Sequence, residues 1–232
     1  MSYKTELHCH TSESSKCALE TPERVVERYL DAGYSTLVIT NHINHSTYAC
    51  DRFEKYLSEN GFEDTWDHRV DYFVRDYNRA VKAANGKLNI ILGLELRLIA
   101  DTPNDYLIYG VTEEWLRNSE MVRHIKIKEL SQYVRESGLL IYQAHPFRNG
   151  ITIVKPSLLD GYEVFNGNLG HDSRNDIAEA WAKKFDLPGI SGSDLHKSHH
   201  VICAGIETDF PITNNEELLQ ALKEQNYKLI TI

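Results

Sequence analysis

Cysteine is scarce, at four residues in a chain of 232, and Cys9, Cys17, Cys50 and Cys203 show no CxxC spacing. A disulfide-stapled scaffold is therefore excluded on size and spacing, and reduced thiols are expected. An excess of basic charge is also missing. The 34 acidic residues outnumber the 25 basic ones for a formal net charge of −9, which argues against a nucleic-acid backbone as main partner and for a small soluble substrate. The opening Met-Ser-Tyr-Lys-Thr-Glu holds no apolar leader and no run reaches transmembrane length, so the expected location is cytoplasmic, with no membrane partner. There is no Ser- or Pro-rich linker and no internal repeat. With a hydrophobic fraction of 41%, ordinary for a globular protein, the expectation is one domain over residues 1–232.

What is present is an alternation of strand-like and helix-like segments. After a first strand around Glu6 to His10, Thr21-Pro22-Glu23 opens a helix with an N-cap, a first-turn proline and an early acid. The apolar run 36–40 predicts a strand covered on both faces. Residues 46–64 lack a clear period and predict a loop with a short helix or a lid over the site. Helical spacing returns over 67–85, and 88–98 reads as a strand interrupted by Glu95. Further strands are expected at 106–110, 139–142, 161–166, 189–193, 203–206 and 227–232, with helices over 125–137, 173–185 and 215–225. Such an order implies an α/β fold with a largely parallel sheet. About seven strands with helices between them suggest a closed or nearly closed barrel with its site at the carboxyl ends of the strands.

Chemistry-bearing residues sit mostly at those ends. His8 and His10 are two apart on one strand and so share a face, a natural pair of ligands for one ion. His42, Glu95, Asp105, His145, Asp194 and His196 follow on later strands. Any one of these is ordinarily a hydrogen-bonded polar group. Together, without a cation, they would leave like charges and unsatisfied groups in one cavity. A carboxylate such as Glu95 bridging among imidazoles is what a two-metal site needs.

In these motifs the sequence resembles the polymerase and histidinol phosphatase (PHP) superfamily of metal-dependent phosphoesterases, nearly end to end. The motifs come in order: His8-x-His10, Asn41-His42, Glu95 in Gly-Leu-Glu, His145-Pro146, and Asp194-x-His196. The resemblance implies a distorted seven-stranded β/α (TIM-like) barrel. It implies that His8, His10, Glu95 and Asp194 hold one metal, that Glu95 and His145 hold a second, and that His42 and His196 face a third. Three departures stand out. The loop Ser14-Ser15-Lys16-Cys17 lacks the Asp or His that many members supply to the third metal, and the Lys16 ammonium could take that charge position. Asn41 replaces the usual Asp beside His42. Asp105 stands where many members have a metal-binding His, and can serve as an oxygen ligand.

Phosphate-ester hydrolysis needs water made nucleophilic at neutral pH and positive charge against the developing anion, which two or three divalent ions (zinc, manganese or iron) supply. The expected function is therefore a phosphoesterase acting on a small phosphorylated substrate through metal-activated water. His42 or His196 is the candidate proton donor to the leaving group. Arg97, on the strand face of Glu95, and Arg148, just after His145-Pro146-Phe147, are candidates for gripping phosphate. His45, His68, His124, His171, His199 and His200 are expected to be solvated, Cys9 to be core, and Cys17 to approach the third site or lie inert. Glu163 and Asn166 could support the ligands from behind. The alternatives are an amidohydrolase-type C–N hydrolase and a non-catalytic metal-binding regulatory module.

Overall fold

A computed structural model describes residues 2–99 and 103–232. In chain order the elements are β1 (Tyr3–Glu6), α1 (Pro22–Asp31), β2 (Thr36–Ile39), β3 (His42–Ile43), α2 (Asp51–Asn60), α3 (Trp66–Ala84), β4 (Asn89–Leu92), β5 (Leu94–Arg97) and β6 (Asp105–Tyr109). Then come α4 (Glu113–Arg117), α5 (Ile127–Glu136), β7 (Leu140–Gln143), β8 (Gly161–Asn166), α6 (Asn175–Lys184), β9 (Gly189–Gly192), β10 (Ala204–Thr208), α7 (Asn215–Glu224) and β11 (Lys228–Thr231). Local chemistry accounts for several boundaries. The Thr21 side chain accepts from Arg24 N at the start of α1, Thr65 does the same for His68 N at the start of α3, and Asn85 closes α3 in a left-handed conformation.

The strands form two sheets rather than one closed sheet, in the orders β11-β10-β1-β2-β4 and β3-β5-β6-β7-β8-β9. They are mixed rather than largely parallel: β1–β2, β2–β4, β3–β5, β7–β8 and β8–β9 pair parallel, while β1–β10, β10–β11, β5–β6 and β6–β7 pair antiparallel. The sheet breaks where strands bend. β4 passes into β5 through Gly93, and a Cβ there would lie 2.8 Å from Val38 Cγ1. Past β1 and β9 the two sheets are joined by the isolated Cys9–Leu195 bridge, with Asp194 N donating to His8 O at 2.8 Å and His10 N donating to Leu195 O at 3.1 Å. That seam carries His8, His10 and Asp194.

Leu7, Val38, Ile91, Leu107, Tyr142 and Ile190 pack in one buried cluster drawn from both sheets, and they form a dry floor. A second cluster gathers Tyr48, Phe53, Trp66, Tyr72 and Phe73 on one flank. The segment 46–64 does contain a short helix, α2, but it docks on α3 instead of forming a lid: Phe53 packs edge-on against Tyr72 at 5.1 Å. Of this region Ser46 and Thr47, with Asn44 just before them, reach the cleft described below. Among the described residues no helix is long and apolar enough to cross a membrane.

Candidate metal centre

Each candidate side chain sits at the same end of the strands. His8 and His10 follow β1, His42 opens β3, and His145, Asp194 and His196 follow β7 and β9. Glu95 lies within β5, and the parallel register pairs it with His42. Asp105 begins β6, which runs antiparallel to β5, so its first residue lies at the site end opposite Arg97. His145 and Asp194 adopt positive φ values of 30° and 48°, in a region that branched or bulky residues seldom occupy. Such conformations persist where the surroundings over-determine them, and they concentrate at functional sites. At the end of β9, Gly192 is required by proximity: a Cβ there would lie 2.3 Å from His8 Cβ and 2.7 Å from Glu163 Oε1.

The centre itself is compact. His8 Nε2 lies 3.0 Å from His10 Nε2, 3.4 Å from Glu95 Oε2 and 3.4 Å from Asp194 Oδ1. His10 Nε2 lies 3.2 Å from Glu95 Oε2 and 3.3 Å from Asp194 Oδ1. Ligands held at zinc-like distances in a tetrahedron stand about 3.3–3.4 Å from one another, so these side chains already have the spacing of a shared cation. Glu95 Oε2 and Asp194 Oδ1 are buried and, among the described residues, complete no hydrogen bond. Two buried carboxylate oxygens left this way need positive charge. The donor set fits a divalent ion. On the other side of Glu95, Oε1 lies 3.2 Å from His145 Nε2, and His42 Nδ1 lies 2.9 Å from Oε2. Ring nitrogens of His10, His42 and His196 form a further group within 4.8 Å of one another, and so do atoms of His42, Glu95 and Asp105.

The charges respond to one another. Burial works against a charged His8, but Glu163, Asp194 and Glu95 outweigh it and hold its pKa well above the usual range. His42 is raised in the same way by Glu95 against burial, and His196 is raised by Asp194 against burial to about 10. His10 is lowered by burial and by the neighbouring His196 and His42. Glu95 and Asp194 stay well below the carboxylate range because, against burial, the imidazoles favour their ionised forms. A bound cation would displace the protons held by these histidines.

Behind this layer stands a second. Glu163 Oε1 lies 2.8 Å from His8 Nδ1, and Oε2 accepts from His145 N at 2.8 Å and from Asn166 Nδ2 at 3.0 Å. Asn166 and Asn168 donate to Asp194 Oδ2 at 3.1 and 3.2 Å, which leaves Oδ1 turned to the centre. Asn41 does not leave a gap where an acid is missing. Its Oδ1 accepts from Thr11 N and Ser15 Oγ, and its Nδ2 donates to Asp76 Oδ2 at 3.3 Å. Asp76, a buried acid on α3 that the sequence reading did not single out, also accepts from Thr11 Oγ1, Glu13 N and Ser14 N. A helix carboxylate thus stands beside Asn41, a placement no motif spacing reveals.

Arg97 and Arg148 both converge on Asp105. Arg97 donates through Nε at 2.7 Å to one oxygen and through a terminal nitrogen at 2.5 Å to the other, and Arg148 adds a contact of 3.2 Å. Asp105 Oδ2 is also 3.9 Å from His145 Nε2. Both arginines line a cleft of about 370 Å³ together with Lys16, Cys17, His42 and His196.

Three histidines depart from the expected solvated state. His171 reaches into the same cleft, with Nε2 3.5 Å from Asp194 Oδ2. Its only sequence signal is its place a few residues after the Asn166 strand end. His200 is buried, its Nδ1 accepting from His196 N at 3.3 Å. His45, His124 and His199 are exposed as expected, while His68 is half-buried and stacks on Phe62. Cys9 is core. In the loop 14–17, Ser15 Oγ is committed to Asn41 and Ser14 Oγ to Phe73 O. Lys16 is exposed, and the side chain that faces His42 and His196 is Cys17. Against partial burial, the His196 and His42 imidazoles hold the Cys17 thiol down at about 5.

Residues 172–227 match the family described as PHP-associated. No curated protein matches the chain. Among solved structures it is similar to a two-domain protein from Bacteroides vulgatus that contains a predicted PHP-like metal-dependent phosphoesterase, at 17% identity and TM-score 0.67, covering 100% of this chain and 65% of that one. It is also similar to a lesion-specific endonuclease from Pyrococcus furiosus, at 17% identity and TM-score 0.60, covering 99% of this chain and 58% of that one. A third relative in fold is an amidohydrolase from Chromobacterium violaceum with bound sulfate, at 14% identity and TM-score 0.54, covering 94% of this chain and 96% of that one. The chain thus spans less than two thirds of the length of the first two.

Proposed function

We propose that this chain is a metal-dependent phosphoesterase of the PHP type acting on a small phosphorylated substrate, a reading supported by its likeness in fold to a PHP-like protein and by the PHP-associated match of its carboxy-terminal region. The observation that carries the reading is the spacing of 3.0–3.4 Å among His8, His10, Glu95 and Asp194, with Glu95 Oε2 and Asp194 Oδ1 buried and unsatisfied. In this reading these four side chains would hold one divalent ion, and Glu95 with His145 would hold a second. Zinc, manganese and iron all suit such a mixed imidazole and carboxylate set. The whole chain acts as one hydrolase domain, its two sheets the parts of a distorted seven-stranded barrel in which β2–β3 and β4–β5 each count as one bent strand and the β10–β11 hairpin lies outside the count.

The ions would supply activated water and charge neutralisation at the phosphoryl group. The chain's own residues supply the rest. Arg97 and Arg148 bind non-bridging phosphate oxygens by paired donors, with Asp105 fixing both guanidinium planes. The hydrophobic cluster beneath the site excludes water from below. His42 and His196 line the cleft wall, and in this reading one of them gives a proton to the leaving oxygen. The two arginines favour an anionic phosphoester over the neutral amide of a C–N hydrolase.

The test is metal content by elemental analysis on protein purified without chelator, paired with hydrolysis of p-nitrophenyl phosphate, a cyclic amide and a single-stranded oligonucleotide before and after manganese addition. About two or more ions per chain and metal-dependent release of p-nitrophenol that His145→Ala abolishes are expected. Faster turnover of the amide would establish the C–N reading instead, and bound metal with no turnover of any substrate would establish a regulatory module.

A further inference from the structure

The turn between β3 and α2 forms one wall of the cleft and carries hydrogen-bonding groups that the proposed chemistry does not use. Asn44, Ser46 and Thr47 all line the cleft. Strands β3 and β5 pair in parallel, with His42 opposite Glu95 and Ile43 opposite Leu96. Continued one residue past β3, this register sets Asn44 level with Arg97, and alternation puts both on the face that carries His42 and Glu95. A step of two residues, about 6.6 Å along a strand, lifts the pair above the ligands toward the mouth of the cleft. A group held at Asn44 therefore sits beside a phosphate held by Arg97.

Hydrogen bonds within the turn fix what it presents. Asn44 Oδ1 accepts from Ser46 N and from Ser46 Oγ, each at 2.8 Å. A backbone N–H can only donate, so the oxygen end of the amide is assigned and Nδ2 is the end left over. Among the described residues Nδ2 donates to nothing, although Asn44 is only 8% exposed. Ser46 Oγ directs its proton to Asn44 and so presents lone pairs. Thr47 Oγ1 accepts from Asn44 N at 3.0 Å and donates to His42 O at 2.9 Å, which ties the turn to the strand end. The wall thus carries one free donor and one free acceptor, both uncharged. A carboxylate or phosphate oxygen satisfies only the donor and an ammonium only the acceptor, whereas a hydroxyl satisfies both.

We propose that Asn44 and Ser46 form the subsite for the alcohol part of the ester, and that it takes a polyol or sugar phosphate. The hydroxyl on the carbon next to the esterified one donates to Ser46 Oγ and accepts from Asn44 Nδ2. The inference deepens the phosphoesterase reading and rests on it. Arg97 and Arg148 grip the phosphoryl group whatever its ester, while the turn discriminates between esters. An alcohol without this hydroxyl leaves both groups unpaired in a largely enclosed wall, which is how a site built around a hydroxyl rejects the analogue that lacks it.

The test compares matched esters on the full chain loaded with manganese: glycerol phosphate esterified at its terminal carbon against propyl phosphate, and hydroxyethyl phosphate against ethyl phosphate. The wild type is expected to favour each hydroxylated ester by about tenfold or more in kcat/KM. Ser46→Ala removes the acceptor and keeps the backbone donor to Asn44. Asn44→Asp keeps an oxygen for the turn and replaces the free donor with an acceptor. Both variants are expected to bring the ratio within each pair close to one, with metal content and thermal midpoint matching the wild type as proof that the turn is intact. A wild-type ratio near one, or a ratio that survives in either variant, overturns the subsite and leaves the phosphoesterase reading standing. Absence of metal-dependent turnover of all these esters and of p-nitrophenyl phosphate overturns both.

Discussion

His8 Nδ1 and Glu163 Oε1 lie 2.8 Å apart with both side chains sealed from solvent. This contact fixes which imidazole nitrogen faces the centre. A neutral histidine that donates Nδ1–H to a carboxylate must present the Nε2 lone pair, and His8 Nε2 is the atom surrounded by His10, Glu95 and Asp194. Glu163 also holds the backbone of His145 and the side chain of Asn166, so one carboxylate orients groups on both sides of Glu95.

Glu163→Gln preserves shape but weakens the acceptor for His8 and sets its amide against either His8 or the His145 N–H. Metal affinity, followed by competition with a chromophoric chelator, is expected to fall about 10–100-fold with little change in fold. Unchanged affinity would show that Glu163 does not govern the orientation of His8.

Asn41 and Asp76 make a second testable pair. Asn41 Nδ2 donates to a carboxylate that also gathers Thr11, Glu13 and Ser14, so Asn41→Asp would face two buried acids across 3.3 Å. The loss is expected to be about 1–3 kcal/mol in urea unfolding at neutral pH. Adding Asp76→Asn should recover part of it, a coupling that a double-mutant cycle isolates. Additive losses would mean that the two side chains do not sense each other.

The same pair shows what a sequence can and cannot disclose. Position along a strand is legible in part: Asn41-His42 and His145 follow the apolar runs that became β2 and β7, whereas the first strand, expected over Glu6 to His10, is the polar Tyr3–Glu6 with both histidines beyond its end, and Asp194-x-His196 follows the Gly-Ile-Ser-Gly of β9. Helices α1, α3, α5, α6 and α7 lie within about two residues of their expected bounds because their apolar stripes and caps are local signals. Pairing is not local. Neither the antiparallel entry of β6 nor the break into two sheets has a signature in hydrophobic periodicity. Asp76 was invisible for a similar reason: on the sequence it is one acid in a charged helix, and only the packing of α1 on α3 brings it under the loop after His10. His171 lies in a loop whose path no pattern dictates.

Arg97 and Arg148 owe their orientation to Asp105, which allows a kinetic prediction. Arg97→Lys and Arg148→Lys keep the charge and lose the paired donors, so KM for a phosphate ester should rise about tenfold, with a smaller change in kcat and unchanged metal content. Inhibition by inorganic phosphate should weaken in parallel. A loss confined to kcat with KM unmoved would remove these residues from substrate binding.

Glu6 accepts from Leu7 N, His8 N and Ser193 N through Oε1 and from the Tyr29 hydroxyl through Oε2. Burial raises its carboxyl from 4.5 to about 7, more than these hydrogen bonds lower it. The folded pKa therefore exceeds the unfolded one, and the folded state holds this proton more tightly. The resulting stability is present in full below the unfolded value and is lost as pH rises through the folded value. Across that window the loss amounts to about 3 kcal/mol. Glu6→Gln keeps an oxygen for the three backbone donors and turns its amide toward Tyr29, whose hydroxyl can accept. In chelator, the difference in unfolding free energy between variant and wild type should move toward the variant by about 3 kcal/mol from roughly pH 4.5 to pH 8. A difference that stays flat over this range would mean that Glu6 ionises alike in the folded and unfolded chains, and that its hydrogen bonds fully offset its burial.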